Sequence, residues 1–368
     1  MDTIWARFRN DRLNITGRPV LFLTLLILSS FAIRYALTLW FDATYTDLCK
    51  WDCGWYRRLV ENGYDLEPGK PGRPDVANWA FFPLHPIIAK AIHFTTGLST
   101  KLSLQLSGEL FYALAIIALF SLFRKLDQKF DTIAFAIVIL ANPYIVYASG
   151  GYTEPAALFF TAAALFYNRS GNLPFAALTG GLAGVTRVPG IFVVGANASQ
   201  NIANNGLKIL FNPRYVFWFL ISGIFLASLI IYFYLHVGDG LAFRHIQIAW
   251  NRTPDKLLEV LTGIFTFPVD SFKFWTSALT IIAGIIVPAF FIWRRMFDLA
   301  VLQGFSLLLP AMTGFLSMPR FAFWSVGTIF ALYLIARVHW LKPVILIAFL
   351  PLQYFVFQAW MSGATWIF

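Results

Sequence analysis

Apolar residues dominate this chain in long runs, broken by short polar stretches. The runs fall at about 19–41, 103–123, 132–148, 155–167, 174–186, 188–200, 215–236, 274–293, 297–316, 320–338 and 343–361. A helix needs about 20 residues to cross a bilayer core, and fewer where neighbouring helices shelter it. The pattern therefore predicts an all-α, polytopic membrane bundle of about 11 transmembrane helices. Segment 81–98, FFPLHPIIAKAIHFTTGL, is apolar but broken by Pro83, Pro86, Lys90 and His93, and reads as a re-entrant or surface-lying helix. The stretch 174–200 reads as one kinked span or as a hairpin of two short ones.

Positive charge decides between these two. Arg7, Arg9, Arg12 and Arg18 precede the first run and place the N-terminus inside. Arg124, Lys125, Lys129, Arg169, Lys208, Arg214, Arg294, Arg295, Arg337 and Lys342 then all fall inside if 174–200 is a hairpin; a single span would put Arg294 and Arg295 outside. The first run is long enough to span and lacks a small-residue cleavage site, so it reads as a retained span. No duplication or low-complexity tract is visible, and residues 1–368 read as a single membrane domain with a large outer loop at 42–102.

Composition removes the soluble alternative. Hydrophobic residues make up 58% and charged residues 12%, against about 25% charged in soluble domains. The net charge of +10 is scattered between the apolar runs and gives no sign of nucleic-acid binding. Cys49 and Cys53 lie four residues apart and read as a structural pair, since zinc needs four ligands and the chain has no other cysteine. No phosphate-cradling glycine motif is present for a nucleotide-sugar.

In this topology the chemistry collects on the outer face. The first outer loop carries Asp47, Asp52, Arg57, Arg58, Glu61, Asp65 and Glu67; separate turns carry Glu154, Arg187 and Arg320; the segment after the seventh span carries Asp239, Arg244, His245 and Gln247. Solvated loop carboxylates are the ordinary reading for Asp65 and Glu67. Asp52 differs because Trp51, Trp55 and Tyr56 shelter it. Arg187 and Arg320 lie in tight Pro-containing turns that suit bidentate phosphate binding as well as helix capping. Glu154 precedes Pro155 and suits a helix start. His85, His236 and His245 have no metal spacing. No cofactor is indicated, although a divalent metal held by Asp52 and another carboxylate stays open. Within the apolar runs, Arg34 and Glu109 lie at matching depth and are expected to pair.

Six blocks in order resemble one family. KWDCGWYRRLVENGYD resembles the R-W-D-A-x-x-[FY]…G-Y block of PIG-V type mannosyltransferases and their bacterial homologues; NWAFFPLHPII, YTEPAALFF, GVTRVPGI, VGDGLAFRHIQIAWNR and MPRFAFW resemble its AFFP-x-x-P, Y-[ST]-E, TR-x-x-G, GDPLAF…Q…W and PR[YF] elements. Together they cover residues 50 to about 325. Departures are Gly240 where proline is common, a cysteine after the Asp, and the longer linker Pro68–Pro74. The resemblance implies a GT-C fold, a polyprenyl-phosphate sugar donor, mannose as the usual sugar, inversion at the anomeric carbon, and Asp52 as general base. Asp47 is the second choice. The substrate-binding set is Arg187, Arg320, Glu154, Asp239, Arg244, His245, Gln247, Trp51, Tyr56 and His85. Expected partners are the lipid-borne donor and membrane lipid, with no nucleic acid; the acceptor stays open. A bacterial inner membrane is favoured over the endoplasmic reticulum, with the site facing the periplasm or lumen. The competing reading is a flippase or transporter of a lipid-linked sugar, which predicts ionisable groups on mid-bilayer helix faces. The segment Trp51–Asn62 is expected to form a short interfacial helix, packed through Trp51, Trp55, Leu59 and Tyr56, with Asp52 in its first turn.

Overall fold

The computed structural model describes residues 18–69 and 75–364. The N-terminal charges Arg7, Arg9 and Arg12 and most of the linker Pro68–Pro74 lie outside them. Among the described residues there is no β-strand. The helices are α1 (Pro19–Trp40), α2 (Asp52–Asn62), α3 (Leu84–Thr96), α4 (Thr100–Leu126), α5 (Thr132–Leu140), α6 (Glu154–Arg169), α7 (Leu173–Gly184), α8 (Val193–Asn205), α9 (Pro213–Val237), α10 (Ala242–His245), α11 (Leu257–Thr266), α12 (Phe272–Trp293), α13 (Phe297–Ala311), α14 (Met318–Phe323), α15 (Val326–Ala336) and α16 (Leu341–Ser362).

Five of these, α1, α4, α9, α12 and α16, are long and apolar enough to cross a membrane by length and composition. The expected count of eleven is not reproduced at that length. The other six runs form helices of 9 to 16 residues: α5, α6, α7, α8, α13 and α15. The reason lies in their ends and surroundings. α5 and α7 stop at Leu140 and Gly184, inside their runs, the 3₁₀ turn Val188–Phe192 delays the start of α8, and α6 is buried along most of its length, so its residues answer to protein neighbours. The outer helices behave oppositely. Only 22% of the apolar window of α1 and 17% of that of α9 is buried, and Leu21, Leu25, Leu28, Leu220, Ile231 and Leu235 face outward. Apolar surface on that scale fits lipid rather than water.

The two irregular segments take simple forms. Stretch 174–200 is a hairpin, α7 and α8, turning through a 3₁₀ segment at Val188–Phe192. Gly190 permits the tight turn: a Cβ there would sit 1.9 Å from the Ala183 carbonyl oxygen. Segment 81–98 forms α3, 13 residues or about 20 Å long, which packs on α2 and α4 without spanning.

Polar anchors mark both ends of the bundle. At one end Arg34 of α1, 1% exposed, ion-pairs with Glu109 of α4. Its Nε donates to Ser149 Oγ and its Nη1 to Ser30 Oγ, each at 2.7 Å, and Tyr45 Oη donates to Glu109 Oε1 at 2.9 Å. The pair expected from matching depth is thus present and hydrogen-bonded on both sides. Breaking it leaves a buried charge unpaired, which costs about 3–5 kcal/mol. Arg34→Met is therefore expected to lower the unfolding midpoint in detergent sharply, with partial recovery in the Arg34→Met/Glu109→Gln pair. Equal midpoints for wild type and Arg34→Met would refute this. At the other end, Arg169 Nε donates to buried Asp298 at 2.7 Å, Arg337 pairs with Asp127 at 2.9 Å and Lys342 with Asp131 at 2.6 Å. Three of the cations read as topology signals are therefore also lodged in carboxylate contacts.

Candidate active site

Glu154 and Arg169 bracket α6, a separation of about 24 Å. The Glu154 end carries the site. Pro155 sets the first turn of α6, where an acidic residue also meets the positive end of the helix dipole. Arg187 extends from the tip of the α7–α8 hairpin. Arg320 lies on α14, whose short turn starts at Met318–Pro319 and is pinned by Trp324 Nε1 donating to the Tyr144 carbonyl at 3.0 Å and Asn142 Nδ2 donating to the Phe323 carbonyl at 3.1 Å.

These loops meet around one carboxylate oxygen. Glu154 Oε1 receives Arg187 Nη1 at 2.6 Å and lies 3.2 Å from Arg320 Nε, a contact without hydrogen-bond alignment. Arg320 Nη1 then donates to Asp52 Oδ2 at 3.1 Å. The chain Arg187–Glu154–Arg320–Asp52 thus joins four segments far apart in sequence. Glu154 is 2% exposed and Arg320 4% at their side chains, whereas Asp52 is open at 32%. Phe321 lies under both guanidinium groups at 4.9 and 5.1 Å, and Tyr147 and Tyr152 flank Arg320 at 5.4 and 5.6 Å. Such rings favour a planar cation and limit its freedom. Glu154 Oε2 is buried without a hydrogen-bond partner among the described residues, and Glu154 lines a cavity of about 40 Å³ with Arg187, Thr161 and Ser306.

Asp52 occupies the first position of α2, one residue later than the expected start at Trp51. Its N–H donates to Tyr152 Oη at 3.1 Å, and that hydroxyl donates to the Lys50 carbonyl at 3.2 Å. Cys49 and Cys53 form a disulfide on either side. The buried face of α2 is Cys53, Tyr56, Leu59 and Val60, and the half-buried Trp51 and Trp55 pack against the same core, as expected of Trp51, Trp55, Tyr56 and Leu59. Trp51 meets the buried Trp360 edge-on at 4.7 Å, and Trp55 stacks on Phe81 at 5.7 Å.

Tyr56 and His85 form a buried layer below Asp52 rather than a wall of the open site. Tyr56 Oη bonds Thr153 Oγ1 at 3.2 Å, and its ring meets His85 edge-on at 5.5 Å. His85 Nε2 lies 3.2 Å from the Gly151 carbonyl, so Nε2 carries the proton, and Nδ1 accepts from Ser107 Oγ at 3.1 Å. Burial pushes His85 down to about 4. The unfolded chain then takes up a proton near pH 6.5 that the folded chain refuses. Stability is full above that pH and falls as pH drops towards 4, by about 3 kcal/mol in all. The unfolding midpoint should decline over this window, with a shallower decline in His85→Gln. Parallel profiles for the two proteins would reject His85 as the cause.

The remaining candidates separate. Asp239 and His245 pair with each other at 2.7 Å, His245 exposed and Asp239 half-buried, and the hydrogen bond from His245 holds Asp239 below the usual carboxylate range. Arg244 is exposed beside them. Among the described residues none of the three bonds Asp52 or Glu154. Asp47 accepts the Thr44 N–H at 2.8 Å and hydroxyl at 2.7 Å in the cap of a 3₁₀ turn, bonds that lower its pKa. Gln247 stands closer: its Oε1 accepts from Arg252 Nη1 at 3.5 Å. Arg252 is the residue that sequence reasoning passed over. Burial and the Arg320 charge lower its pKa, and it also feels Asp52 and Arg187. It ends the block VGDGLAFRHIQIAWNR, two residues after Trp250, whose ring meets Trp55 at 5.6 Å.

No family model matches the chain, and no curated protein matches it. Among solved structures, the crystal structure of the Archaeoglobus fulgidus oligosaccharyltransferase in complex with Zn and sulfate matches with a TM-score of 0.54 at 14% identity, over 93% of this chain and 53% of that one. The likeness is one of fold. The chain spans about half the length of that protein. No three His, Cys, Asp or Glu side chains gather among the described residues, and the two carboxylates that come together both face arginine.

Proposed function

We propose that this chain is an integral-membrane, inverting glycosyltransferase that moves a sugar from a polyprenyl-phosphate carrier to an acceptor hydroxyl. Mannose is the sugar expected from the six-block resemblance. The observation that carries the reading is the Asp52–Arg320–Glu154–Arg187 chain: an accessible carboxylate at the mouth of an arginine cluster at one end of an apolar bundle.

The chemistry follows from charge. With Arg252, the cluster holds three cations against two carboxylates, a surplus of one positive charge. A sugar joined to a lipid through one phosphate is a monoanion and matches that surplus. As the acceptor oxygen attacks the anomeric carbon, its proton passes to Asp52 and the bond from carbon to phosphate oxygen breaks on the opposite face. The phosphate leaves with one more negative charge than it brought. Arginines fixed in advance stabilise that growing charge without having to reorganise, and no general acid is required. Glu154 holds Arg187 and Arg320 in register. The Cys49–Cys53 disulfide supports a site on an oxidising face, periplasmic or luminal.

The experiment is release of polyprenyl phosphate from a polyprenyl-phosphate sugar by purified protein given candidate acceptors. Release coupled to glycoside formation is expected. Movement of intact sugar-lipid across a vesicle bilayer with no release would identify a flippase instead.

A further inference from the structure

We propose that the Cys49–Cys53 disulfide is the positioning element of the Asp52 carboxylate, so that transfer depends on the oxidation state of this pair. The proposal rests on the reading of Asp52 as base and adds a requirement to it.

The disulfide closes a ring over Cys49, Lys50, Trp51, Asp52 and Cys53. Within the ring Trp51 takes φ 45° and ψ −107°, a conformation that a residue with a bulky side chain keeps only when its surroundings enforce it. Three contacts enforce it. Trp51 is wedged on Trp360, Lys50 Nζ donates to the Met361 carbonyl at 2.6 Å, and the cross-link fixes both flanks. Cys53 is fully buried against Gly151, where an added Cβ would come within 2.8 Å of its sulfur. Gly151 has φ +75° and leads through Tyr152 and Thr153 into Glu154. Tyr152 Oη accepts the Asp52 N–H and donates to the Lys50 carbonyl inside the ring. The sulfur bridge therefore seats Asp52 on the same segment that supplies Glu154. A cross-link over so few residues restrains the unfolded chain less than one closing a long loop. Its main effect is on local geometry.

Dithiothreitol would convert the disulfide to two thiols, giving up two electrons and two protons and closing to its own cyclic disulfide. Trp51 is then able to return to negative φ. That motion turns the Trp51–Asp52 peptide away from Tyr152 and moves the carboxylate relative to Arg320. A displacement near 1 Å costs on the order of 100-fold in rate.

The test compares oxidised wild type, wild type reduced with dithiothreitol and shown by alkylation mass to hold two thiols, and Cys49→Ser/Cys53→Ser. Expected are a 10–100-fold loss of kcat, donor KM within about twofold, and recovery of the reduced wild type, but not the variant, on reoxidation. Hydrogen exchange at amides 50–54 should rise about tenfold, with α4 and α6 unchanged. Unchanged kcat and exchange in protein with two verified thiols would overturn the proposal, as would loss of activity accompanied by exchange throughout α4 and α6. Activity of Asp52→Asn equal to wild type would count against the base reading alone; hydrogen exchange would then decide whether the bridge holds the segment.

Discussion

Asp52→Asn is expected to cut transfer by about 10²–10⁴-fold, the range that general-base catalysis supplies, while donor binding and the unfolding midpoint stay near wild type. The amide keeps the shape of the carboxylate, leaves its backbone N–H on Tyr152 and still offers an oxygen to Arg320 Nη1. What it loses is the ability to take the acceptor's proton. Steady-state rates at saturating donor and acceptor, with donor affinity measured separately, check this. Asp47→Asn serves as the control and is expected to retain activity, because the Asp47 carboxylate is committed to the Thr44 cap and is the weaker base for it. A dead Asp47→Asn beside an active Asp52→Asn would move the role to Asp47. Full activity in both single variants and in the double variant would remove carboxylate base catalysis from this loop.

Arg320→Lys is the second large effect expected: a loss of about 10²–10³-fold in kcat, the usual cost of removing one fixed donor from a developing anion. Formal charge survives this change, so the loss comes from geometry. One guanidinium reaches Asp52 through Nη1 and Glu154 through Nε while lying against Tyr147, Tyr152 and Phe321. An ammonium on a flexible stem cannot span both carboxylates or lie flat on the rings. Arg187→Lys should cost less, since Arg187 bonds Glu154 alone and its side chain is 19% exposed. A loss in Arg187→Lys that equals or exceeds that in Arg320→Lys would reverse this order, and wild-type rates in both would exclude the arginine cluster from catalysis.

The apolar runs made the class of fold legible, because lipid asks only for long stretches without charge and needs no long-range information. Helix length was less legible. A run such as 132–148 shows one apolar block, yet its helix ends at Leu140 because Asn142 turns the chain and bonds the backbone of α14. Asp52, Glu154, Arg187 and Arg320 stood out as charged residues in separate turns on one face. Their distances depend on where α2, α6, α14 and the hairpin cross, and spacing carries no trace of that. Asp239, Arg244 and His245 looked equally good in sequence; they pair locally or remain exposed. Arg252 gave only one signal, a cation two residues after Trp250 in a polar turn, and the fifteen residues of the block before it offered louder candidates. The cysteine pair was legible as structural, but a spacing of four cannot show that its bridge surrounds an aspartate.

The contacts of Lys50 with Met361 and of Leu48 with Trp360 span 311 and 312 residues of chain. During synthesis at about 5–20 residues per second, α1 and α2 enter the membrane roughly 15–60 s before α16 is made. The segment bearing Asp52 thus waits for α16 before its contacts are complete, and a nascent chain lacking α16 would carry all four charged residues without a finished centre. Ribosome-released chains ending before residue 341 should then be inserted yet inactive, and a separately expressed α16 should restore turnover to them. Full activity without α16 would show that the early helices complete the site unaided.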